Sequence, residues 1–305
     1  MSFSIDVKRE ICAHEIHKKC CAVATSYGIA CFGKYFDSRG LIFHTEQAFI
    51  AQYAKHAFEQ IGVFGKIYVK GGGEKRLYEY AIKEPEQVKK MLHIFGHTGE
   101  EPSVRLNKHN LRCAECASHF IAAAFLCCGT SSNPEKEYNL EFVCSRHNLI
   151  KDFETFLKQQ TFLPKYTLRK GNHVIYFKAS EQIEDILTTM GATNSSLQIM
   201  KLKVFKDFRN KANRITNCET ANIDKIIEAT QVTVQAIGYL ISKDALAALP
   251  ENLQQVALLR MENQDISLSE LAKMVQPPIS KSGLSHRLKK IETIAATMRE
   301  KEKNE

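Results

Sequence analysis

The sequence predicts an α+β protein in which a tandem α/β repeat is followed by an all-α domain. Residues 83–96, KEPEQVKKMLHIFG, and residues 178–191, KASEQIEDILTTMG, align at an offset of 95 residues. Alternating apolar runs typical of β-strands lie before residue 178, whereas the pattern from residue 216 onward is helical. A strongly basic stretch, 201–214, lies between these regions. The predicted parts are a repeat domain, a basic linker and a helical domain, at residues 1–200, 201–220 and 221–305.

Each half of the repeat domain shows the same order of elements. The repeated segment is an amphipathic helix that ends at a glycine, and two strand-like runs joined by a glycine-bearing turn (71–73 and 170–172) precede it. A small-residue helix, a strand and another helix come first, so one copy has the order α-β-α-β-β-α. We expect the copies, at about 1–98 and 108–196, to pack as a pseudo-dimer about a local two-fold axis. The predicted elements are 20–32, 40–44, 46–61, 64–70, 76–82 and 83–96 in the first copy, and 116–128, 138–144, 146–160, 166–169, 173–177 and 178–191 in the second.

Positive charge is concentrated in the repeat domain and the linker. The chain carries a formal net charge of +8, but residues 216–305 contain 11 basic and 12 acidic residues. Such a distribution favours a polyanionic partner for the basic part. The linker residues Lys206, Arg209 and Arg214 are predicted to contact DNA phosphates. The full basic set of the linker is Lys201, Lys203, Lys206, Arg209, Lys211 and Arg214.

The polar residues of the linker also admit a structural interpretation. Asn217 and Thr220 stand where the next helix is expected to begin, and both residue types are frequent N-caps. Capping or bonding between domains is therefore the alternative to phosphate contact in this segment. The residues concerned are Asn210, Arg214, Asn217, Glu219 and Asn222.

Three short helices are predicted near the C-terminal end, at 251–263, 267–275 and 282–295. Ser267 and Glu270 form a capping-box pattern before the second helix, and the stretch 276–279, QPPI, is a stiff turn. The third helix buries Leu284, Leu288 and Ile291. Its other side is basic and hydrogen-bonding, which suits a DNA major groove, so we predict a helix-turn-helix over about 251–295. The alternative is a three-helix packing unit with a solvated outer face. The predicted DNA-binding residues here are Lys281, Ser282, Ser285, His286, Arg287, Lys289 and Lys290.

The small-residue helices carry a resemblance to a known motif. Residues 120–129, FIAAAFLCCG, contain three alanines that permit two helices to approach closely, and they resemble the LAGLIDADG motif of homing endonucleases. In active members the penultimate position holds an acid that ligates the catalytic metal. Here that position is Cys128, and in the first copy it is Gly33. The resemblance therefore implies the scaffold without its nuclease, since Mg²⁺ requires hard oxygen ligands.

Nearly the whole chain resembles the WhiA family. The matching stretches include RNKANRITNCETAN (209–222) and ISKSGLSHRLKKIE (279–292). This resemblance implies a bacterial transcription regulator connected with sporulation, cell division and chromosome segregation, whose C-terminal domain is similar to region 4 of sigma factors. It implies double-stranded DNA as the partner, with another regulator or a sigma factor as a further one. The sequence departs from the family at Thr25, where Glu is usual, and at Cys31, where Arg is common.

The ten cysteines raise the question of a metal. Cys113-x-x-Cys116, with Cys20-Cys21, could ligate zinc. The second pair is not C-x-x-C, however, and no cysteine or histidine follows at finger spacing. We therefore predict reduced, buried thiols, and neither a metal nor a cofactor.

Localisation and the competing functions complete the sequence prediction. Residues 1–15 lack the apolar core of a signal peptide, and no apolar run reaches the roughly 18 residues of a membrane span. A cytoplasmic, nucleoid-associated protein without membrane contact is expected. An active endonuclease and a protein-docking adaptor with weak DNA binding are the alternatives to a non-catalytic DNA-binding regulator.

Overall fold

The computed structural model describes residues 2–72 and 76–304, and the chain divides into two units between Lys206 and Asp207. The first unit confirms the predicted α+β repeat. Its helices are α1 (Phe3–Ala13), α2 (Lys19–Phe32), α3 (Ala48–Gln60), α4 (Pro85–Phe95), α5 (Ala114–Cys128), α6 (His147–Gln159) and α7 (Ser180–Thr189), with a 3₁₀ turn at Lys108–Asn110. Its strands are β1 (Tyr35–Asp37), β2 (Gly40–Thr45), β3 (Lys66–Lys70), β4 (Leu77–Ile82), β5 (Gly129–Ser131), β6 (Leu140–Cys144), β7 (Lys165–Arg169) and β8 (Asn172–Phe177).

Each half folds into an antiparallel four-stranded sheet with one strand more than predicted. The strand orders are β1-β2-β4-β3 and β5-β6-β8-β7, so the two sheets have the same topology. The additional strands, β1 and β5, contain three residues each and are too short to show an alternating apolar pattern. The predicted glycine turn at 71–73 extends to Gly73, which lies outside the described residues.

The two small-residue helices pack against each other at the centre of the first unit. At the crossing, a Cβ added to Gly28 would stand 2.6 Å from the Cβ of Ala123. The backbones therefore approach so closely that neither position has room for a larger side chain. The offset from Gly28 to Ala123 is again 95 residues, so the predicted pseudo-dimer interface is confirmed.

The amphipathic repeat helices end as their sequences predict. Gly96 follows α4 with φ of +67° and Gly191 follows α7 with φ of +85°. This left-handed conformation is disfavoured for residues with a Cβ, which explains a glycine at both helix ends. The apolar faces of the two helices are buried, Met91 and Phe95 on α4 and Ile186 and Leu187 on α7.

The basic linker is helical. A single helix of 50 residues, α8 (Thr193–Ser242), includes all of residues 201–220. Asn217 and Thr220 are therefore interior helix positions, and the prediction that either one caps a helix beginning near residue 221 is wrong. Most of the stretch 207–229 is exposed. Its sequence therefore lacks the dense apolar face by which a buried helix is recognised.

The second unit contains the C-terminal part of α8, α9 (Glu251–Glu262), α10 (Leu268–Met274) and α11 (Lys281–Asn304), with a 3₁₀ turn at Leu246–Ala248. Its core is formed by Leu240, Leu253, Val256, Leu271 and Leu284, among others. Among the described residues no helix combines the length and the apolar character needed to cross a membrane.

Candidate nucleic-acid interface

The helix-turn-helix segment begins with the predicted capping box. The Ser267 hydroxyl accepts a hydrogen bond from the Glu270 backbone N–H at 3.3 Å, and the Glu270 carboxylate accepts one from the Ser267 N–H at 3.0 Å. These bonds satisfy donors that the first turn of α10 leaves unpaired. On α11 the corresponding cap is Ser280, whose hydroxyl accepts from the Gly283 N–H at 3.1 Å. The helix was predicted to begin at Ser282, one residue late, and this cap was not predicted.

One face of α11 is buried, as predicted. Leu284, Leu288 and Ile291 are at most 4% exposed and pack into the core of the second unit. Of the seven predicted DNA-binding residues on α11, five are exposed and two, Ser285 and Arg287, are half-buried. Within the described part of the chain, the cationic side chains of this set form no ion pair. The exposed five are Lys281, Ser282, His286, Lys289 and Lys290.

Ser285 does not lie on the outer face where it was predicted. With Lys289 it lines a groove of about 420 Å³ between α11 and α8, and Lys225 and Val232 form part of the opposite wall. Ser285 is therefore directed sideways toward α8, because its helical position is close to the buried stripe.

A buried arginine joins α8 to the helix-turn-helix segment. Arg260 is 2% exposed and donates hydrogen bonds to the carbonyl of Ile266 at 2.8 Å, to the carbonyl of Asn263 and to the Thr230 hydroxyl. Burial lowers the pKa of its guanidinium. The guanidinium is matched to carbonyls rather than to an anion, so it holds the loop between α9 and α10 and is not available to a phosphate.

The basic residues of α8 fall into two groups. The ammonium of Lys206 donates to the Pro134 carbonyl at 2.7 Å and lies 4.5 Å from the ring centroid of Tyr138. Lys206 thus stabilises the first unit, which corrects its prediction as a free phosphate contact. Arg209 and Arg214 are exposed positions of α8 in the second unit, and the structure gives neither a partner among the described residues.

The degenerate nuclease positions lie at the C-terminal ends of the central helices. Gly33 immediately follows α2, and Cys128 is the last residue of α5. The Cys128 thiol donates to the Ala124 carbonyl at 3.3 Å, and burial raises its pKa well above the usual range. A neutral thiol and a glycine provide no anionic ligand for a hard cation.

A pocket of about 590 Å³ lies between these helix ends. Of the described residues that line it, Glu141 is the one carboxylate, and it accepts a hydrogen bond from Arg169 at 2.8 Å. Asp37, an acid that follows the end of α2 in β1, does not line the pocket. It is paired with Arg39 at 2.8 Å. Three cations, Lys8, Lys34 and Arg146, face the pocket instead.

Two of those cations bind the ends of the central helices directly. Arg146 donates to the carbonyls of Cys31, of Gly33 at 2.9 Å and of Lys34 at 3.1 Å. Lys8 donates to the Leu126 carbonyl at 3.3 Å. Each cation compensates unpaired carbonyls and the negative end of a helix dipole. Neither residue was predicted from the sequence, because neither belongs to the LAGLIDADG-like motif.

The cysteine prediction requires a correction. The Sγ atoms of Cys20, Cys21, Cys113 and Cys116, here called the tetracysteine cluster, all lie within 4.8 Å of one another. The neighbouring thiols, chiefly Cys116, lower the pKa of the Cys113 thiol to about 7 through hydrogen bonds. The four thiols are free and form one group, in which Cys20 and Cys113 are half-buried and not buried as predicted. The repeat offset of 95 residues maps Cys21 onto Cys116 and could have revealed this, since equivalent positions meet at a pseudo-two-fold axis.

Comparisons with known proteins agree with both units. A family model described as the WhiA LAGLIDADG-like domain matches residues 117–209, and one described as the WhiA C-terminal HTH domain matches residues 212–295. A probable cell division protein WhiA of Clostridium botulinum is 36% identical, covering 98% of this chain and 99% of its own. One of Ruminiclostridium cellulolyticum is 33% identical, covering 98% of each chain.

A solved structure gives the same result for the fold. Full-length WhiA of T. maritima aligns with a TM-score of 0.62 and 21% identity over 97% of this chain and 99% of that chain. At that identity the likeness concerns the fold. Together with the matched domains and the curated relatives, it shows that the chain belongs to the WhiA family.

Proposed function

We propose that this chain is a sequence-specific regulator of transcription, which binds double-stranded DNA by placing the first turns of α11 in the major groove. The observation that carries the proposal is the two-sided character of α11. Leu284, Leu288 and Ile291 fix one face in the core, whereas the exposed cations of the opposite face, Lys289 and Lys290, form no ion pair among the described residues. A rigid helix with donors on its early outer turns is how helix-turn-helix proteins read base edges.

The proposed contacts divide into two classes. His286 and Arg287 can reach base edges, because imidazole and guanidinium donors match acceptors in the major groove. Lys281, Lys289 and Lys290 are suited to phosphates, as are Arg209 and Arg214 on α8. Phosphate contacts increase affinity for all sequences and make it dependent on salt.

We further propose that the chain does not hydrolyse DNA. Two-metal hydrolysis requires anionic ligands beside the scissile phosphate, and the helix ends provide Gly33 and a neutral Cys128 thiol. Lys8 and Arg146 place positive charge where a divalent cation would have to bind. Purified protein incubated with Mg²⁺ or Mn²⁺ and DNA carrying its binding sites should leave the DNA intact. Site-specific double-strand breaks that disappear on chelation would contradict this proposal.

The names of the relatives support a proposal for the cellular role. The two relatives described above are named probable cell division proteins, and we propose that this chain acts in the cytoplasm, at the nucleoid, on genes for cell division, chromosome segregation or sporulation. A sigma factor or another regulator is the protein partner proposed with it. Mapping the genomic sites that the tagged full chain occupies will identify those genes.

The DNA contacts are tested with a site obtained from that map. Fluorescence anisotropy with the full chain should show that His286→Ala and Arg287→Ala each cost about 1–3 kcal/mol at the specific site and little on unrelated DNA. Lys289→Ala should weaken binding to both DNAs alike. Lys301→Ala is the matched control, since Lys301 is an exposed cation on the same helix, about four turns from His286.

The contribution of α8 is tested by salt dependence. Replacing Arg209, Lys211 and Arg214 with Gln should reduce the slope of log affinity against log salt by about 2–3, because each neutralised phosphate contributes roughly 0.9. An unchanged slope excludes α8 from the interface. Unaltered specific affinity in the variant that carries both His286→Ala and Arg287→Ala rejects α11 as the recognition helix.

A second candidate function is supported by exposed apolar side chains on α8. Phe208 is 76% exposed, Ile215 51% and Ile223 56%, and their spacing of seven and eight residues places them on one side of the helix. Such a stripe suits a partner helix and favours the adaptor hypothesis. If the full chain binds no DNA site with preference over unrelated DNA, the adaptor function replaces the regulator function.

A further inference from the structure

The tetracysteine cluster lies where the two central helices begin. Cys20 and Cys21 are in the first turn of α2, Cys113 is the N-cap of α5, and Cys116 follows in its first turn. Cys21 and Cys116 are buried, and the other two are half-buried. The cluster thus joins the two halves of the repeat through residues that are 93 positions apart, as between Cys20 and Cys113.

The distances within the cluster fit one tetrahedral ion. The Cys113 Sγ lies 3.4 Å from that of Cys116, 3.6 Å from that of Cys20 and 3.7 Å from that of Cys21. Zinc–sulfur bonds of about 2.3 Å in a tetrahedron require sulfur atoms about 3.8 Å apart. The observed separations therefore need only small side-chain adjustments to enclose a zinc ion.

We propose that the tetracysteine cluster binds one structural Zn²⁺ through four thiolates. A closed set of four sulfur ligands is typical of zinc sites that stabilise a fold, because no coordination position remains for a substrate. The ion would link α2 to α5 at the end of the helix pair opposite Gly33 and Cys128.

Two other occupants fit less well. A disulfide needs sulfur atoms about 2.05 Å apart, whereas the thiols are free and the sulfur atoms of Cys113 and Cys116 are 3.4 Å apart. An iron–sulfur cluster places several irons and inorganic sulfides between its cysteines, whereas all four Sγ atoms here lie within 4.8 Å. That space has room for a single ion.

The surroundings would compensate the negative charge of a zinc-bound cluster. The backbone N–H of Cys116 donates to the Cys113 sulfur at the start of α5, and both helices direct their positive dipole ends toward the cluster. Lys18 and Glu115 form an ion pair of 2.6 Å between the same two helix starts. Two helix N-termini offset the two negative charges that four thiolates and one Zn²⁺ leave together.

Metal analysis of the full chain tests the proposal. Protein purified under reducing conditions without chelator should contain one zinc per chain. Reconstitution with Co²⁺ should give the charge-transfer and visible bands of a tetrahedral four-thiolate site. Cys113→Ser should lose the zinc and shift the cobalt spectrum. Its affinity for zinc should fall by more than about 100-fold, because loss of a partner that only orients a ligand can already cause a loss of that size.

The variants are chosen so that loss of zinc is distinguishable from loss of fold. Serine is a favoured N-cap, so Cys113→Ser should retain the start of α5 and the wild-type circular dichroism spectrum. Cys20→Ser tests the other helix independently. Cys218→Ser is the matched control, because Cys218 is exposed on α8, and it should retain one zinc per chain.

Several results would overturn the proposal. One is protein that holds no zinc and gives no cobalt–thiolate bands. Another is full zinc with an unchanged cobalt spectrum in both Cys113→Ser and Cys20→Ser. Iron in place of zinc, or a disulfide at Cys113 in protein purified without oxygen, would likewise reject it.

Discussion

The two ends of the central helix pair have the same architecture and different chemistry. At the N-terminal ends of α2 and α5, four cysteines come together from both halves. At the C-terminal ends, a glycine and a neutral thiol stand at the positions compared with the nuclease acids, and Lys8 and Arg146 bind the helix carbonyls. A duplicated scaffold thus brings four cysteines together at one end, of which Cys21 and Cys116 are equivalent in the repeat, and places unlike residues at the other.

The difference shows what the packing of the helices requires and what it leaves free. The crossing of Gly28 and Ala123 fixes how closely the helices approach, and it does so whether or not either end carries a metal. The sheets show the same freedom. The repeat offset makes Glu79 and Val174 equivalent positions, so a buried charge in one half corresponds to a buried valine in the other. Symmetry of the backbone therefore does not impose symmetry of chemistry.

The largest expected effect concerns the cysteine end and depends on the proposed zinc. Binding to the folded state alone stabilises it by about 4 kcal/mol when free metal exceeds its dissociation constant roughly 1,000-fold. Chelation should therefore lower the stability of the first unit by that order in urea denaturation. Cys113→Ser should start at the lower value and show no further loss on chelation. Equal chelator sensitivity in wild type and Cys113→Ser would remove the proposed contrast between the ends.

The second effect is pH-dependent and compares Glu79 with its counterpart Val174. Glu79 is 3% exposed and contacts Lys70, His44 at 2.8 Å and Lys83 at 3.6 Å. The hydrogen bond from Lys70 is the main cause that lowers the Glu79 pKa from 4.5 to about 2. The resulting stability, on the order of 3 kcal/mol, is complete above pH 4.5 and is lost as the pH falls toward about 2.

Urea denaturation across that pH range measures this effect. Glu79→Gln should flatten the acid dependence of the free energy of unfolding between about pH 4.5 and 2. Glu100→Gln, at an exposed position, should leave the dependence as in wild type. An acid dependence that is unchanged by Glu79→Gln would place its source elsewhere in the protein.

The third effect tests the crossing that both ends share. Gly28→Val should cost about 1–3 kcal/mol, because even its Cβ would stand 2.6 Å from that of Ala123 and 3.1 Å from the Phe120 carbonyl oxygen. Gly238→Val is the control, since a Cβ there meets nothing within 4 Å, and it should change stability by less than about 0.5 kcal/mol. Similar losses for both substitutions would mean that helix propensity, not close packing, governs the position.

The smallest effect concerns the cation end. Arg146→Gln should reduce stability by about 1–2 kcal/mol. The three carbonyls at the end of α2 lose a charged donor, but water can bind them in its place. Arg169→Gln removes only the exposed ion pair with Glu141 and should cost no more than about 1 kcal/mol. If the two variants are equal in urea denaturation, Arg146 does not act as a cap of α2.

The sequence was sufficient to predict the repeat and its central helices. The 95-residue offset, the glycines that end α4 and α7, and the small residues at the crossing are local patterns with a direct structural meaning. The strands β1 and β5 were missed because three residues carry no periodicity. The interior of α8 was interpreted as a linker because its apolar residues are too widely spaced to repeat at every helical turn.

The candidate sites were predictable where one segment contains the whole pattern. The capping box, the buried stripe of α11 and the degenerate positions Gly33 and Cys128 each belong to a single stretch of sequence. Lys206 was assigned to DNA because its partners, Pro134 and Tyr138, lie far away in the chain. The tetracysteine cluster depends in the same way on contacts between residues more than 90 positions apart.

The close burial of α2 has a consequence for the synthesis of the protein. Of its 14 residues, 11 are buried, and α5 covers much of that surface. At 5–20 residues per second, a ribosome needs roughly 5–20 s to translate the 95 residues that separate the two helices. During that interval the nascent first half exposes an apolar helix without its counterpart. The core around α2 therefore cannot be completed until α5 has left the exit tunnel.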